Sequence, residues 1–352
     1  MGFFAVKYGV TDVEGEIDQH NEVYAATEQE IDSVKPKDDA MIANEAQYLA
    51  VLEKEAKFYQ ANVCKKEIIA GYSPENAALI EQNFKESRST VLMAKMITAI
   101  SLAYANKEEM VGQIAQCEGE NPTRIAGASS QNMVVGNPFV WQQGDEWKTI
   151  ETAVARDKEV ILRASREANI DPRLLTSSLV VEQLRLFYTQ REVYERFFKP
   201  LKILGNTTKM AWGVMAIKEK SAIRIEANLK DQNSAYYLGL EYETKLDFQS
   251  GDPAKERYLR IADDKDHYYS YLYAALFYKQ LMTQWQKAGF DISDRPEILA
   301  TLYNIGFDKS KPNAEPKVGG STLEINGQKY TFGGLAYQFY YSGALGEEFP
   351  LR

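Results

Sequence analysis

The sequence predicts a mainly α-helical protein with one small β element. Three observations carry that expectation. Apolar residues recur at spacings of three and four over long stretches, residues that start and stop helices stand at the edges of those stretches, and one Asn-Gly pair separates two short alternating segments. At 352 residues the chain suggests two domains, and 45% hydrophobic with 26% charged residues can fill a core in a soluble globule.

Residues 1 to about 40 are acidic and carry no steady period. The opening Met1-Gly2-Phe3-Phe4-Ala5-Val6 lacks the Ser/Thr of a myristoylation signal and the charged region and long apolar stretch of a signal peptide. Its abrupt apolar start, followed by polar and acidic residues through Asp32, fits a lost upstream export signal or anchor. It fits equally an ordinary terminus tucked into the core. From Ala40 the pattern turns helical, with Leu49, Leu52, Ala56, Tyr59 and Val63 on one stripe that is too short for a coiled coil. Gly71 closes this helix and Ser73-Pro74 opens the next, Ser as N-cap and Pro at the first helical position. Helical pattern then runs with breaks to about Cys117, so a helical hairpin is expected.

The most apolar window, Thr90 to Ala105, is interrupted by Lys95 and reads as a buried helix. No uninterrupted run reaches the roughly 18 apolar residues of a membrane span, so none is expected. Cys64 and Cys117 lie outside any C-x-x-C pattern. Two buried free thiols are the simpler reading and a disulfide in an oxidising compartment is the alternative; spacing does not decide.

Glu118 to Gly144, rich in Gly, Asn, Ser and Pro, reads as the loop between an N-terminal helical module (1–145) and the remainder (146–352). A helix over Thr149–Ala168 ends at Asn169, and Asp171-Pro172 opens another. Further helices are expected near 212–229, 232–247, 266–288 and 294–304, with Gly289 and Gly306 where helix-terminating glycines belong. Ser321–Ile325, Asn326-Gly327 and Gln328–Phe332 read as a hairpin.

A net charge of −9 without a Lys/Arg tract makes nucleic acid a poor partner. Two histidines and two cysteines rule out most metal sites, because structural zinc wants four Cys/His ligands, and no metal or cofactor is expected. His20 and His267 are the only candidates for a Ser-His or Cys-His system, and neither accompanies a G-x-S-x-G elbow; P-loop and G-x-G-x-x-G patterns are absent. Any catalysis therefore falls to carboxylates.

One carboxylate stands out. In the helix opened by Asp171, Leu175, Leu179 and Leu186 share a stripe, and Glu182 falls on it. Burying that stripe buries the carboxylate or leads it to a cleft edge. Burial without a cation raises a carboxyl group's pKa, as a general acid at neutral pH requires. The plainer alternative pairs Glu182 with an Arg, or leaves it at the stripe's margin.

Residues Ile161 through Glu182, with Asp171-Pro172 between two helical segments, resemble the opening of the lytic transglycosylase and goose-type lysozyme superfamily, which delivers a single catalytic Glu. Ala211-Trp212-Gly213-Val214-Met215-Ala216 is similar to that family's Gly-Leu-Met-Gln motif. Asn228-Leu229 through Tyr237-Leu238-Gly239-Leu240 resembles its groove-lining helix, and Leu299–Gly306, containing Tyr303-Asn304, its Ala-x-x-x-Tyr-Asn-Ala-Gly motif. The four elements keep the family's order over about residues 155–310. The resemblance implies a lysozyme-like helical domain that cleaves peptidoglycan between MurNAc and GlcNAc in the cell envelope, as a glycosidase or lyase. It implies Glu182 as acid then base, and Gly213, Val214, Met215, Tyr303 and Asn304 at the substrate. Gln183 where the family has Ser, Ala216 in place of Gln, and a long span between Glu182 and Gly213 depart from the pattern. A hydrolytic variant needs a second carboxylate, for which Glu192, Glu195 and Glu219 are candidates.

The clusters Tyr268–Tyr273 and Tyr337–Tyr341 fit either sugar stacking or a helix buried on several sides. Two other readings stay open: a catalytically inactive lysozyme-like module that binds glycan or scaffolds cell-wall proteins, and a helical scaffold with a chance likeness. The N-terminal module carries no polar constellation and is expected to bind an envelope protein or to regulate.

Overall fold

The computed structural model describes residues 15–35, 45–117, 136–189, 206–208 and 211–351, which are mainly helical. The apolar opening at residues 1–6, much of the Gly/Ser-rich loop, and Glu192 and Glu195 lie outside the described residues. No described helix is long and apolar enough to cross a membrane. The chain divides into two compact units, with the boundary at Gln143/Gly144.

The first unit takes the described residues of Gln19–Gln143 and adds Tyr341–Ala344. It holds α1 (Asn21–Val34), α2 (Glu45–Tyr72), α3 (Pro74–Ser87), α4 (Thr90–Ala103) and α5 (Glu108–Gln116). The apolar window forms α4, which packs against α1, α2 and α3. The Ser89 hydroxyl caps its start by accepting the Leu92 N–H at 3.0 Å. Lys95, inside the apolar run, is buried and pairs with Glu28 at 3.1 Å, which is how a helix buried on most sides tolerates a cation.

Two readings of this unit are corrected. The stripe of α2 does not face the core: Leu49, Leu52 and Tyr59 are exposed, while Phe58, Ala61, Ile68, Ile69 and Tyr72 are buried. Both sets recur at helical spacing, and periodicity alone does not choose between faces. Cys64 and Cys117 are not free thiols; they form a disulfide.

The second unit comprises the described residues of Gly144–Tyr340, Leu345–Pro350 and those up to Asp18. Its helices are α6 (Asp145–Arg156), α7 (Lys158–Ala168), α8 (Pro172–Thr189), α9 (Glu219–Lys230), α10 (Pro253–Ile261), α11 (Tyr268–Lys287), α12 (Pro296–Ile305) and most of α13 (Phe332–Tyr341). Among the described residues, three two-stranded antiparallel pairs accompany them. These are β1 (Glu16–Ile17) with β4 (Gly319–Gly320), β2 (Asn206–Thr208) with β3 (Ala211–Gly213), and β5 (Thr322–Ile325) with β6 (Gln328–Thr331). The last pair is the expected hairpin, with both turn residues at positive φ, Asn326 at 49° and Gly327 at 81°.

Asn169, at φ 52°, ends α7 as expected, and α11 and α12 end before Gly289 and Gly306. Other boundaries differ. The single helix over 149–168 is two, broken at Asp157, whose carboxylate is drawn to His267 Nδ1 at 2.5 Å and the Tyr271 hydroxyl at 2.8 Å. The helix near 212–229 begins only at Glu219, because Trp212 and Ile217 exchange backbone hydrogen bonds around a tight turn. Residues 232–247 form turns, among them a short 3-10 segment at Leu240–Tyr242. Here the Asp231 and Ser234 side chains accept the N–H groups of Asn233 and Tyr236 and compete with a helix. Between them and α11 lies α10, capped by Asp252, which accepts the Lys255 N–H at 3.1 Å.

The C-terminal segment is tied to α8 by Arg173. Its buried guanidinium donates to the carbonyls of Phe339, Tyr340 and Phe349 at 3.2, 2.7 and 2.6 Å, supplying partners to carbonyls near a helix end.

Candidate functional site

The start of α8 is fixed by Asp171, whose Oδ1 accepts the Arg173 N–H at 2.8 Å. Leu175, Leu179 and Leu186 are buried, and Glu182 is buried with them at 5% exposure. The stripe is one face of a helix buried nearly all round: between Arg173 and Phe187 every residue except Arg185 is buried. The reading in which this carboxylate stands without a cation is not met. Arg185, one turn on, donates Nε and Nη2 to Glu182 Oε2 at 2.9 and 2.7 Å. Spacing i, i+3 puts both on one side of the helix.

The second component is the turn after β3. Gly213 sits at φ +68°, and a Cβ there would lie 2.2 Å from the Ile261 carbonyl oxygen and 2.5 Å from Ser270 Oγ. Only glycine meets both demands. Val214 and Met215 are fully buried, so their backbone polar groups require partners inside the protein. Three helices provide them. Gln183 Nε2 on α8 donates to the Val214 carbonyl at 3.0 Å, Ser270 Oγ on α11 accepts the Met215 N–H at 3.1 Å, and the Tyr303 hydroxyl on α12 donates to the Met215 carbonyl at 2.6 Å.

Tyr303 connects this turn with the carboxylate. Burial first, and then the charge of Glu182, push its hydroxyl well above the usual tyrosine range. Tyr278 stacks on it with ring centroids 5.5 Å apart and hydrogen-bonds to Ser178. Burial and the same Glu182 charge push Tyr278 upward too, against the Ser178 hydrogen bond. Both phenols therefore stay protonated, and that of Tyr303 donates to the Met215 carbonyl.

Gly213, Val214, Met215 and Tyr303 thus form one buried cluster, held on the α8 side by Gln183, the neighbour of Glu182. Asn304 has a different partner: its Oδ1 accepts the Ser321 N–H at 2.8 Å and holds the chain entering the hairpin. Glu219 is exposed in the first turn of α9. The tyrosine clusters largely face inward. Tyr271 serves Asp157, Tyr273 donates to Glu226 at 2.5 Å, Tyr340 donates to Asp171 at 2.5 Å, and Tyr337 and Tyr341 are buried.

Sequence reasoning noted Gln183 only as a departure and missed Arg185, Ser270 and Tyr278. Arg185 was within reach, since i+3 on a helix is a side-chain neighbour. Ser270 lies 55 positions from Met215 and leaves no local signal. Comparison of the chain with family models, curated proteins and solved structures gives no match.

Proposed function

We propose that the chain cleaves peptidoglycan glycan strands between N-acetylmuramic acid and N-acetylglucosamine, as a lytic transglycosylase with a lysozyme-like catalytic domain. The observation that supports it best is the Tyr303 hydroxyl on the Met215 carbonyl, 2.6 Å away, under the field of Glu182. The reading is further supported by α8 and α12 both holding the turn after β3, through Gln183 on the Val214 carbonyl and Tyr303 on the Met215 carbonyl.

In this reading Glu182 gives a proton to the glycosidic oxygen as the bond from C1 to that oxygen breaks. It then takes the proton of the muramyl 6-hydroxyl as O6 bonds to C1, closing a 1,6-anhydro ring without consuming water. The substrate's N-acetyl group stabilises the oxocarbenium-like intermediate, and the backbone of Gly213–Met215 lines the sugar. The catalytic group is a carboxylate and no cofactor or metal takes part. The Cys64–Cys117 disulfide agrees with an oxidising, extracytoplasmic compartment. The helical unit carrying it is assigned to an envelope protein partner or to regulation.

A second reading draws on the Arg185 pair: a lysozyme-like module that binds glycan without cutting it, since Glu182 Oε2 already accepts two hydrogen bonds from a guanidinium. Digestion of purified peptidoglycan with mass analysis separates the two. Anhydromuramyl ends support the transglycosylase, reducing ends a hydrolase, and binding without release the inactive module.

A further inference from the structure

The longest described helix, α2, has 28 residues, and only its later part packs on a core. Phe58, Ala61, Ile68, Ile69 and Tyr72 are buried, and Cys64 is tied to Cys117. From Leu49 to Lys57 every residue is exposed except Val51, which is half-buried. This arm adds about two and a half turns to the packed part. A stretch that short has little helical stability of its own in water. Its surface is not uniformly polar: Leu49 is 56% exposed, Leu52 41%, and Ala56 is exposed with them. Tyr59, 40% exposed, continues the stripe at the base of the arm, where its ring stacks on Phe84.

We infer that this arm pairs, antiparallel, with the same arm of a second copy of the chain, along Leu49, Leu52, Ala56 and Tyr59. The inference stands apart from the glycan-cleaving reading. Steps of three, four and three are the spacing of a seam between two helices. Two heptads are too few for a free-standing coiled coil, but each arm is anchored through the buried half of its own helix.

Size and charge both favour a like helix as the occupant. A two-fold axis at Lys54 sets Leu49 against Tyr59 of the second copy, and Leu52 against Ala56. The large residue at the centre of the seam thus meets the small one, and the axis repeats each contact. Parallel pairing would oppose Ala56 to Ala56 and leave a gap there. The chain carries a net charge of −9, yet on the arm Glu53 and Glu55 are balanced by Lys54 and Lys57. Glu53 and Lys57 pair at 2.8 Å on the helix's own surface, off the seam. In the antiparallel register Glu53 comes beside Gln60 of the second copy, so no carboxylate meets a carboxylate. Four side chains per copy fall short of the roughly 800 Å² per partner of a standard stable interface. The dimer is therefore a weak one, with a dissociation constant on the order of 10 to 500 μM.

The test is sedimentation equilibrium of the full chain from about 10 μM to about 1 mM, a span that brackets that constant. The unmodified chain is expected to pass from monomer to dimer. Leu52→Glu, which would bury two carboxylates in the seam, is expected to weaken the dimer at least about 10-fold. Its circular dichroism and melting curve should match those of the unmodified chain, because Leu52 lies on the exposed arm. Orientation is read by mild oxidation of Leu52→Cys and Ala56→Cys chains, with Cys64 and Cys117 already bonded to each other. A mixture of the two is expected to form intermolecular disulfides that neither forms alone. A monomer across the whole range, or a dimer undisturbed by Leu52→Glu, would overturn the pairing. Cross-linking of each chain alone, as efficient as in the mixture, would overturn the antiparallel register. Should Leu52→Glu not fold, the cross-linking of the mixture decides.

Discussion

The Tyr303 hydroxyl donates to the main-chain carbonyl of Met215 at 2.6 Å, joining α12 to a turn 88 positions earlier in the chain. Its ring stacks on Tyr278, and its acidity is suppressed by burial and by the charge of Glu182. Tyr303→Phe keeps the ring and leaves a buried carbonyl without its donor. The expected loss of stability is about 1–3 kcal/mol by denaturant unfolding. Cleavage is expected to fall by more than that loss explains, because the turn lining the sugar is released. A variant with unchanged stability would show that the bond contributes little.

Gly213→Ala and Gly289→Ala separate strain from crowding. Both glycines have positive φ, 68° and 86°, but a Cβ meets two atoms within 2.5 Å at Gly213 and nothing within 4 Å at Gly289. Gly289→Ala is expected to cost about 1–2 kcal/mol. Gly213→Ala adds overpacking against the Ile261 carbonyl and Ser270, for a total of roughly 2–5 kcal/mol. Equal melting temperatures for the two variants would refute the close approach.

Much of this was legible in the sequence and some was not. The Asn326-Gly327 hairpin, the end of α7 at Asn169 and the opening of α8 at Asp171-Pro172 follow local rules, and they occur where those rules put them. The break at Asp157 and the turns over 232–247 do not, because side chains there prefer partners over helix continuity, in the case of Asp157 distant ones. Glu182 was found by its position on an apolar stripe. Its Arg185 partner, also local, was the part of the alternative reading that the structure supports. The clamp of Gln183 and Ser270 on Val214 and Met215 is long-range and is visible only in three dimensions.

Asp157 predicts a pH dependence. Burial raises its pKa, but hydrogen bonds from His267 and Tyr271 and the charge of His267 outweigh that and hold it below the usual aspartate range. A carboxylate with a depressed folded pKa contributes stability above its unfolded pKa, and that stability is lost as pH falls through the folded value. Asp157→Asn should therefore be less stable than the unmodified chain at neutral pH. The gap should narrow below about pH 4, where an unfolded aspartate is protonated. Melting curves from pH 7 to pH 2 check this, and a gap that widens on acidification would reverse the sign.

Reduction of Cys64–Cys117 opens a closed loop with a sequence separation of 53. Chain entropy puts its contribution at about 4 kcal/mol. Cys64→Ser with Cys117→Ser should lower the unfolding free energy of the unit containing Gln19–Gln143 by that order. Thiol titration of the native chain should find no free thiol. Two titratable thiols under oxidising conditions would contradict the pairing.

The most direct measurement compares the unmodified chain with Glu182→Gln for release of anhydromuramyl ends from purified peptidoglycan, with circular dichroism on the same samples. The amide keeps the shape and cannot carry the proton. The Gln amide oxygen can still accept from the Arg185 guanidinium, so the variant is expected to stay folded. The account predicts anhydromuramyl ends from the unmodified chain and none from a folded Glu182→Gln. Undiminished release by Glu182→Gln, or no release by either protein, would contradict it.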